Sequence, residues 1–151
     1  MAGVLALDAL WSGIVTLGFS LLFTVPRRYL GGCALAGVVA HVARTAVMEW
    51  GLPLELATLV GSTSIGIMSA LLGRRHKVPM SLFSMSAFIS LVPGTFAYRT
   101  MLALIALVST PSPPASLTTD VLVLGTRTAL IIGAIAVGVV SPSFFLDRGS
   151  T

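Results

Sequence analysis

Charged residues are scarce in this sequence. Only 9% of the 151 residues are Asp, Glu, Lys or Arg, whereas 56% are hydrophobic, and the mean hydropathy is +1.01. Soluble domains typically carry roughly 25% charged residues. The composition therefore excludes a water-soluble fold and predicts an all-α integral membrane protein.

Cysteine and histidine are equally rare. The single cysteine, Cys33, permits no disulfide within the chain, and two distant histidines with one cysteine offer no cluster of metal ligands. The net charge of +4 does not indicate nucleic-acid binding, because the basic residues alternate with apolar stretches and form no continuous face. We therefore expect no cofactor, no metal and no nucleic-acid partner.

Long apolar stretches are what the sequence has in abundance, and each span needs about 20 helical residues. The pattern predicts a single transmembrane domain with about five helices, over residues 5–25, 29–48, 53–72, 79–109 and 117–140. The fourth stretch is longer than a hydrocarbon core of about 30 Å, so it is predicted to break or kink at Pro93-Gly94. Pro142 is predicted to end the fifth helix.

The basic loop residues indicate an orientation. In the five-helix layout they all fall on one side, while the opposite loops have no Lys or Arg: Arg27, Arg28, Arg74, Arg75, Lys77 and Arg148. The positive-inside rule then predicts a multi-pass protein of the cytoplasmic (inner) membrane, with the N-terminus outside and the C-terminus cytoplasmic. The first helix lacks a basic n-region and a clear cleavage site, so removal of a signal peptide is not expected.

Three arginines, Arg44, Arg99 and Arg127, lie inside predicted helices. Counted from the outer helix ends at about 1.5 Å per residue, they share one layer with His41, and no acidic residue is expected at that depth. Unpaired cations in hydrocarbon are costly, so the set predicts a polar cavity in which arginines bind a carboxylate. The alternatives are snorkelling of Arg44 to the headgroups and pairing of Arg127 with Asp120.

His41 lies three residues before Arg44 and therefore shares its helix face. Histidine titrates near neutral pH, so His41 is predicted to be the proton-coupling residue. The competing interpretation is an interhelical hydrogen bond from its ring. No carboxylate that would orient the ring is evident in the sequence.

The Pro93-Gly94 break predicts a backbone site for an anion. If a half-helix starts after Gly94, the amides of Thr95 to Ala97 are free to bind a carboxylate, with Tyr98 and Arg99 one turn further on. The competing interpretation is a proline kink whose backbone groups are satisfied by neighbouring helices. The predicted substrate-binding residues are thus Arg99, Arg44, Arg127, Gly94, Thr95 and Tyr98.

Small residues recur at four-residue spacing, as at Ser62, Gly66 and Ala70, which indicates close helix packing. The serine-rich turn at residues 61–64, with His41 or His76 as a base, superficially suggests an intramembrane hydrolase. Because no carboxylate orients His41 and the serines fit a packing role, we expect no enzyme.

Several segments resemble one known family. They are Phe23-Thr24-Val25-Pro26-Arg27-Arg28 after the first helix, Gly37 with His41 and Arg44 in the second, and Val92-Pro93-Gly94 followed by Tyr98 in the fourth. The chain resembles the threonine/serine exporter-like (ThrE) family, in particular the small (YjjB-like) subunit of its split, two-chain form. The resemblance covers nearly the whole chain. The residues that match positions of the family are His41, Arg44, Pro93, Gly94 and Tyr98.

This resemblance implies a subunit of a secondary-active exporter that moves small carboxylate metabolites across the cytoplasmic membrane. The implied cargo is threonine and serine, or dicarboxylates such as succinate, and an ion gradient drives export. The implied partner is a larger membrane subunit of the same family (YjjP-like) or a second copy of the chain. The alternative is a non-transporting assembly or scaffold subunit, whose arginines would contact only acidic residues of a partner.

Overall fold

The computed structural model describes residues 2–147, and its regular elements are helices. They are α1 (Ala2–Leu22), α2 (Leu30–Glu49), α3 (Leu54–His76), α4 (Ser81–Ile89), α5 (Gly94–Ser109) and α6 (Ala115–Asp147). A short 3-10 turn, Arg27–Tyr29, leads into α2. By length and composition α1, α2, α3 and α6 can each cross a membrane, and α4 with α5 makes a fifth if this bent pair is one span. The predicted all-α membrane fold is confirmed.

The fourth span is broken where the sequence predicts it. The axes of α4 and α5 differ by 57°. Pro93 has φ −80° and ψ 64°, the conformation of an inverse γ-turn. The amide of Gly94 closes this turn by donating to the carbonyl of Val92 at 2.9 Å. The break is therefore a defined turn between two half-helices.

Pro142 does not end the last helix, contrary to the sequence prediction. α6 continues to Asp147 with Pro142 inside it, while Arg148 lies outside the described residues. The missing proline amide leaves the carbonyl of Gly138 without its helical donor, and the hydroxyl of Ser141 donates to that carbonyl at 3.3 Å. A proline is tolerated here because a side chain replaces the lost hydrogen bond.

α3 is the central helix and packs against α2, α4 and α6. Small residues allow this: a Cβ on Gly61 would lie 2.8 Å from the carbonyl oxygen of Ala40 in α2. On the α6 side, the hydroxyl of Ser62 donates to the carbonyl of Ala134 at 2.9 Å. The main core is formed by α2, α3, α4, the turn after α4 and α6, and comprises Ala36, Ala40, Ile65, Ala87, Leu91, Ile131, Ile135 and Val139.

α1 and α5 lie at the periphery. α1 packs mainly against α2, and α5 packs against α6 and has no buried residue. The hydroxyl groups of Thr100 in α5 and Thr128 in α6 are 3.2 Å apart. α5 therefore contacts the rest of the bundle mainly through α6.

The basic segments meet at one end of the bundle. Tyr29 packs edge-on against both His76 and Phe83, with ring centroids 5.5 and 5.7 Å apart. The guanidinium of Arg28 lies 4.5 Å from the centroid of the Tyr29 ring. The basic stretches at 27–28 and 74–77 thus share one end, as the loop assignment requires.

Candidate functional site

A polar stripe on α1 faces α2. Asp8, Ser12, Thr16 and Ser20 recur at four-residue spacing, which places them on one helix face. The three hydroxyl residues are buried, and a Cβ on Gly37 of α2 would collide with the side chain of Thr16. The stripe therefore forms the α1–α2 contact, and Asp8 lies at its N-terminal end.

Asp8 meets the charged residues of α2. The Nδ1 atom of His41 lies 3.5 Å from Oδ1 of Asp8, and the hydroxyl of Thr45 donates to Oδ2 of the same carboxyl group. Arg44 is within electrostatic range of Asp8. The expectations that no acidic residue lies at this depth and that no carboxylate orients His41 are both wrong. The error arose because depth counted along one helix does not show which neighbouring helix comes alongside.

The other ring nitrogen of His41 reaches the helix break. Its Nε2 atom lies 3.1 Å from the carbonyl oxygen of Ser90, at the end of α4. The last carbonyls of a helix have no intrahelical donor. The ring of His41, 49 residues earlier in the sequence, provides the donor for the carbonyl of Ser90. The interhelical hydrogen bond foreseen as an alternative is present, and the coupling role of His41 stays a prediction.

The first turn of α5 presents backbone amides. Pro93 provides no side-chain cap, and within residues 2–147 the amides of Thr95 and Phe96 have no acceptor. The amide of Ala97 is different, because it donates to the carbonyl of Pro93 at 3.0 Å. The free set is thus two amides, one fewer than the sequence predicted.

Tyr98 and Arg99 continue this turn on the exposed side of α5. The side chain of Tyr98 is 65% exposed, and Arg99 is exposed as well. Arg99 makes no ion pair with any residue that the structure describes. A cation on a helix that presents its other faces to lipid needs a polar partner from outside the chain or from a cargo.

Arg127 pairs with Glu55 and not with Asp120, the alternative considered from sequence. Its Nε atom lies 3.7 Å from Oε1 of Glu55, in the first turn of α3. The Arg127 side chain is 56% exposed, which limits the strength of this pair. Glu55 is therefore a second acidic residue at the depth where none was expected.

The three arginines occupy separate places. The Cβ of Arg44 lies beside Gly61 of α3, and Arg127 lies beside Glu55, six residues earlier on that helix. Six residues correspond to about 9 Å along the axis and to a different face of α3. Arg99 lies on α5 directly before Thr100, whose hydroxyl is 3.2 Å from that of Thr128, the residue after Arg127. The three arginines thus lie on three different helices, α2, α5 and α6, and two of them, Arg44 and Arg127, have acidic neighbours in the chain.

Sequence signals for the two missed acids exist. Asp8 falls in register with Ser12, Thr16 and Ser20, so a four-residue count along α1 assigns it to the polar face. Glu55 precedes Ser62 by seven residues, two helical turns, and therefore shares the face that contacts α6. Both signals depend on recognising the hydroxyl residues as helix contacts.

The serines have packing roles. Ser62 is fully buried, and its hydroxyl donates to the carbonyls of Leu59 and Ala134. The ring nitrogens of His41 face Asp8 and a backbone carbonyl. Neither arrangement presents an activated hydroxyl to a substrate.

Gly94→Leu is expected to abolish carboxylate transport while leaving folding intact. A Cβ at Gly94 meets nothing within 4 Å, so the leucine fits, yet its side chain shields the Thr95 and Phe96 amides. The measurement is efflux of labelled cargo from vesicles alongside size-exclusion chromatography. Gly18→Leu is the matched control, because Gly18 also has open space around it. Unchanged transport in Gly94→Leu removes the backbone amides from the site.

Comparison with known proteins identifies the family of the chain. The family model for "Threonine/Serine exporter, ThrE" matches residues 8–145. A protein of Haemophilus influenzae described as an uncharacterized protein is 29% identical over 141 residues, which cover 93% of this chain and 47% of that relative. The chain thus spans about half the length of this relative, and no solved structure is significantly similar. The chain belongs to the threonine/serine exporter (ThrE) family.

Proposed function

We propose that the chain is a subunit of a secondary-active exporter of small carboxylate metabolites, either threonine and serine or dicarboxylates such as succinate. The observation that carries the proposal is the broken fourth span. It creates a helix N-terminus inside a candidate membrane-spanning stretch, where the Thr95 and Phe96 amides have no acceptor among the residues that the structure describes. Amides at a helix N-terminus are a ready-made anion site.

Arg99 and Tyr98 complete the proposed cargo site. Arg99 lies five residues after Gly94, about 7.5 Å further along the helix. In this proposal the cargo lies along the first turns of α5. Its carboxylate contacts the amides at the start of the helix, and its other end contacts the guanidinium of Arg99. In this proposal Arg44 and Arg127 contribute positive potential from α2 and α6, reduced by their acidic neighbours Asp8 and Glu55.

His41 supplies the proposed coupling. Its hydrogen bond to the carbonyl of Ser90 joins α2 to the segment that ends at the helix break. A change in the protonation of His41 therefore acts on the same turn that begins the cargo site. The proposed mechanism is rocking of two membrane halves around this site.

The other half is proposed to come from a second chain. Five spans are few to enclose an alternating-access pathway, and the relative from Haemophilus influenzae is about twice as long as its matched part. We propose a larger membrane subunit of the same family as partner, with a second copy of this chain as the alternative. The positive-inside rule orients the assembly in the cytoplasmic membrane with its basic end inside.

Efflux from vesicles tests the function. Labelled succinate and labelled threonine are preloaded, and release is followed for the chain alone and for the chain with the partner subunit. Efflux of either cargo that depends on Arg99 supports the proposal and identifies the substrate class. Folded protein that releases neither cargo in any combination overturns it and favours a scaffold subunit, whose arginines contact acidic residues of the partner.

A further inference from the structure

We propose that Asp8 and His41 form one proton-binding site, and that the proton held there keeps the end of α4 attached to α2. The inference rests on the proposed function in one respect: it names the site at which His41 would couple protonation to transport. Its evidence is the geometry of three helices around one imidazole ring. Asp8 comes from α1, His41 from α2, and Ser90 follows the last turn of α4.

The contacts fix where the protons must be. A backbone carbonyl only accepts, so the 3.1 Å contact with Ser90 requires a hydrogen on Nε2 of His41. Asp8 accepts the Thr45 hydroxyl on Oδ2 and directs Oδ1 at Nδ1. Only the imidazolium form has a hydrogen on both ring nitrogens. In the proposed state the histidine is charged and forms an ion pair at 3.5 Å with an ionised carboxylate, so the site holds one proton.

Loss of that proton breaks one of the two contacts. Neutral imidazole keeps a single N–H, and a hydrogen bond to a charged acceptor is about twice as strong as one to a neutral acceptor. The remaining hydrogen therefore moves to Nδ1 and faces Asp8, whereas the Nε2 lone pair faces the Ser90 carbonyl. Two acceptors repel, so the end of α4 separates from α2. The proton leaves to water at Asp8, whose side chain is 30% exposed.

Few other charges face this site. From α1 the titratable residue is Asp8, and α4 (Ser81–Ile89) contains none. On α3 the acidic residue Glu55 pairs with Arg127, and the basic residues of α3 and the 3-10 turn before α2 lie at the opposite end of the bundle. Arg44 is the remaining nearby charge, and arginine stays protonated throughout. The proton is thus assigned to the Asp8–His41 pair.

Nitrogen NMR of the full chain in lipid bilayers tests the assignment. The two histidines are labelled with nitrogen-15, and His76→Gln identifies the His41 signals. At pH about 5, below the usual histidine range, both His41 nitrogens should be protonated. At pH about 8 the protonated-nitrogen signal should be Nδ1 alone. An Nε2-protonated ring at the higher pH overturns the proposal.

Asp8→Asn should reverse the high-pH result. The asparagine carbonyl accepts the Thr45 hydroxyl, and its NH₂ group donates to Nδ1, so the ring hydrogen returns to Nε2 and to Ser90. Glu49→Gln, at the exposed end of α2, is the matched control and should behave like the wild type. A wild-type tautomer in Asp8→Asn at pH about 8 contradicts the inference.

A distance measurement reports the separation independently. Spin labels at Leu35→Cys and Val92→Cys, both exposed positions, are introduced with Cys33→Ala. In the wild type, the population with a short distance between the two labels should disappear when the pH rises from about 5 to about 8. Asp8→Asn should retain that population. An unchanged distance in the wild type overturns the proposal even where Asp8→Asn fails to fold. Neither readout requires transport. If the His41 tautomer changes with pH but no cargo is released, the exporter proposal fails and this inference stands. If cargo is released but the tautomer does not change, this inference fails and the exporter proposal stands.

Discussion

Gly138→Leu is expected to destabilise the α3–α6 contact by about 3 kcal/mol, the upper end of typical overpacking costs. A Cβ at Gly138 collides with the side chain of Ser62 and lies 2.9 Å from the backbone nitrogen of Thr63. Because the obstruction includes backbone, α6 must move away, and the hydrogen bond from Ser62 to Ala134 is lost with it. Equilibrium unfolding in mixed micelles, followed by circular dichroism, measures the change.

Gly133→Leu is the matched control on the same helix. Nothing lies within 4 Å of a Cβ at Gly133, so the unfolding free energy of this variant should not fall, and the better helix propensity of leucine can raise it by up to about 1 kcal/mol. Both variants replace a helical glycine by the same residue, so intrinsic helix propensity cancels between them. Equal stabilities of the two variants are incompatible with the close α3–α6 packing described above.

Arg99→Ala is expected to reduce carboxylate efflux about tenfold or more. A hydrogen bond to a charged group is worth about 1.5 to 3 kcal/mol, and 1.4 kcal/mol corresponds to a factor of ten. Arg99 has no ion-pair partner among the described residues, so its removal leaves no buried acid uncompensated within the chain. Vesicle efflux of succinate and threonine is the measurement, normalised to the amount of folded protein.

Arg99→Lys separates charge from geometry. Retained efflux means that positive charge is sufficient, and its loss means that the two-pronged guanidinium is needed. Arg75→Ala removes the same charge from the exposed basic end of α3 and should leave the cargo site unaffected. Full activity of both Arg99 variants excludes Arg99 from the cargo site.

The fold was predictable because hydropathy and backbone chemistry act locally. Five apolar stretches gave the spans, and the excess length of residues 79–109, together with Pro93-Gly94, gave the position of the break. The end of α6 was not predictable by the same reasoning. Pro142 is accommodated by the Ser141 hydroxyl and by an approach to Gly66 of α3, and the latter contact exists only in the folded bundle.

The site was predictable only in part. Histidine and arginine inside apolar helices are visible in any reading of the sequence, and the break with its free amides follows from local rules. The partners of these residues depend on helix register. Asp8 reaches His41 because α1 and α2 are antiparallel, and Glu55 reaches Arg127 because α3 and α6 run in the same direction. Neither alignment follows from the depth of a residue along its own helix.

The pairing of Glu55 with Arg127 also shows how far α6 extends beyond α3. Glu55 belongs to the first turn of α3, whereas Arg127 lies twelve residues after Ala115, the first residue of α6. About 18 Å of α6 therefore extends beyond the start of α3, and α5 accompanies it through Thr100 and Thr128. The exposed large side chains of this hairpin are apolar and include Leu102, Ile105, Val108 and Leu122, and such side chains are unfavourable in water. The chain thus carries an apolar helical extension beside the proposed cargo site, a surface that needs lipid or another protein against it.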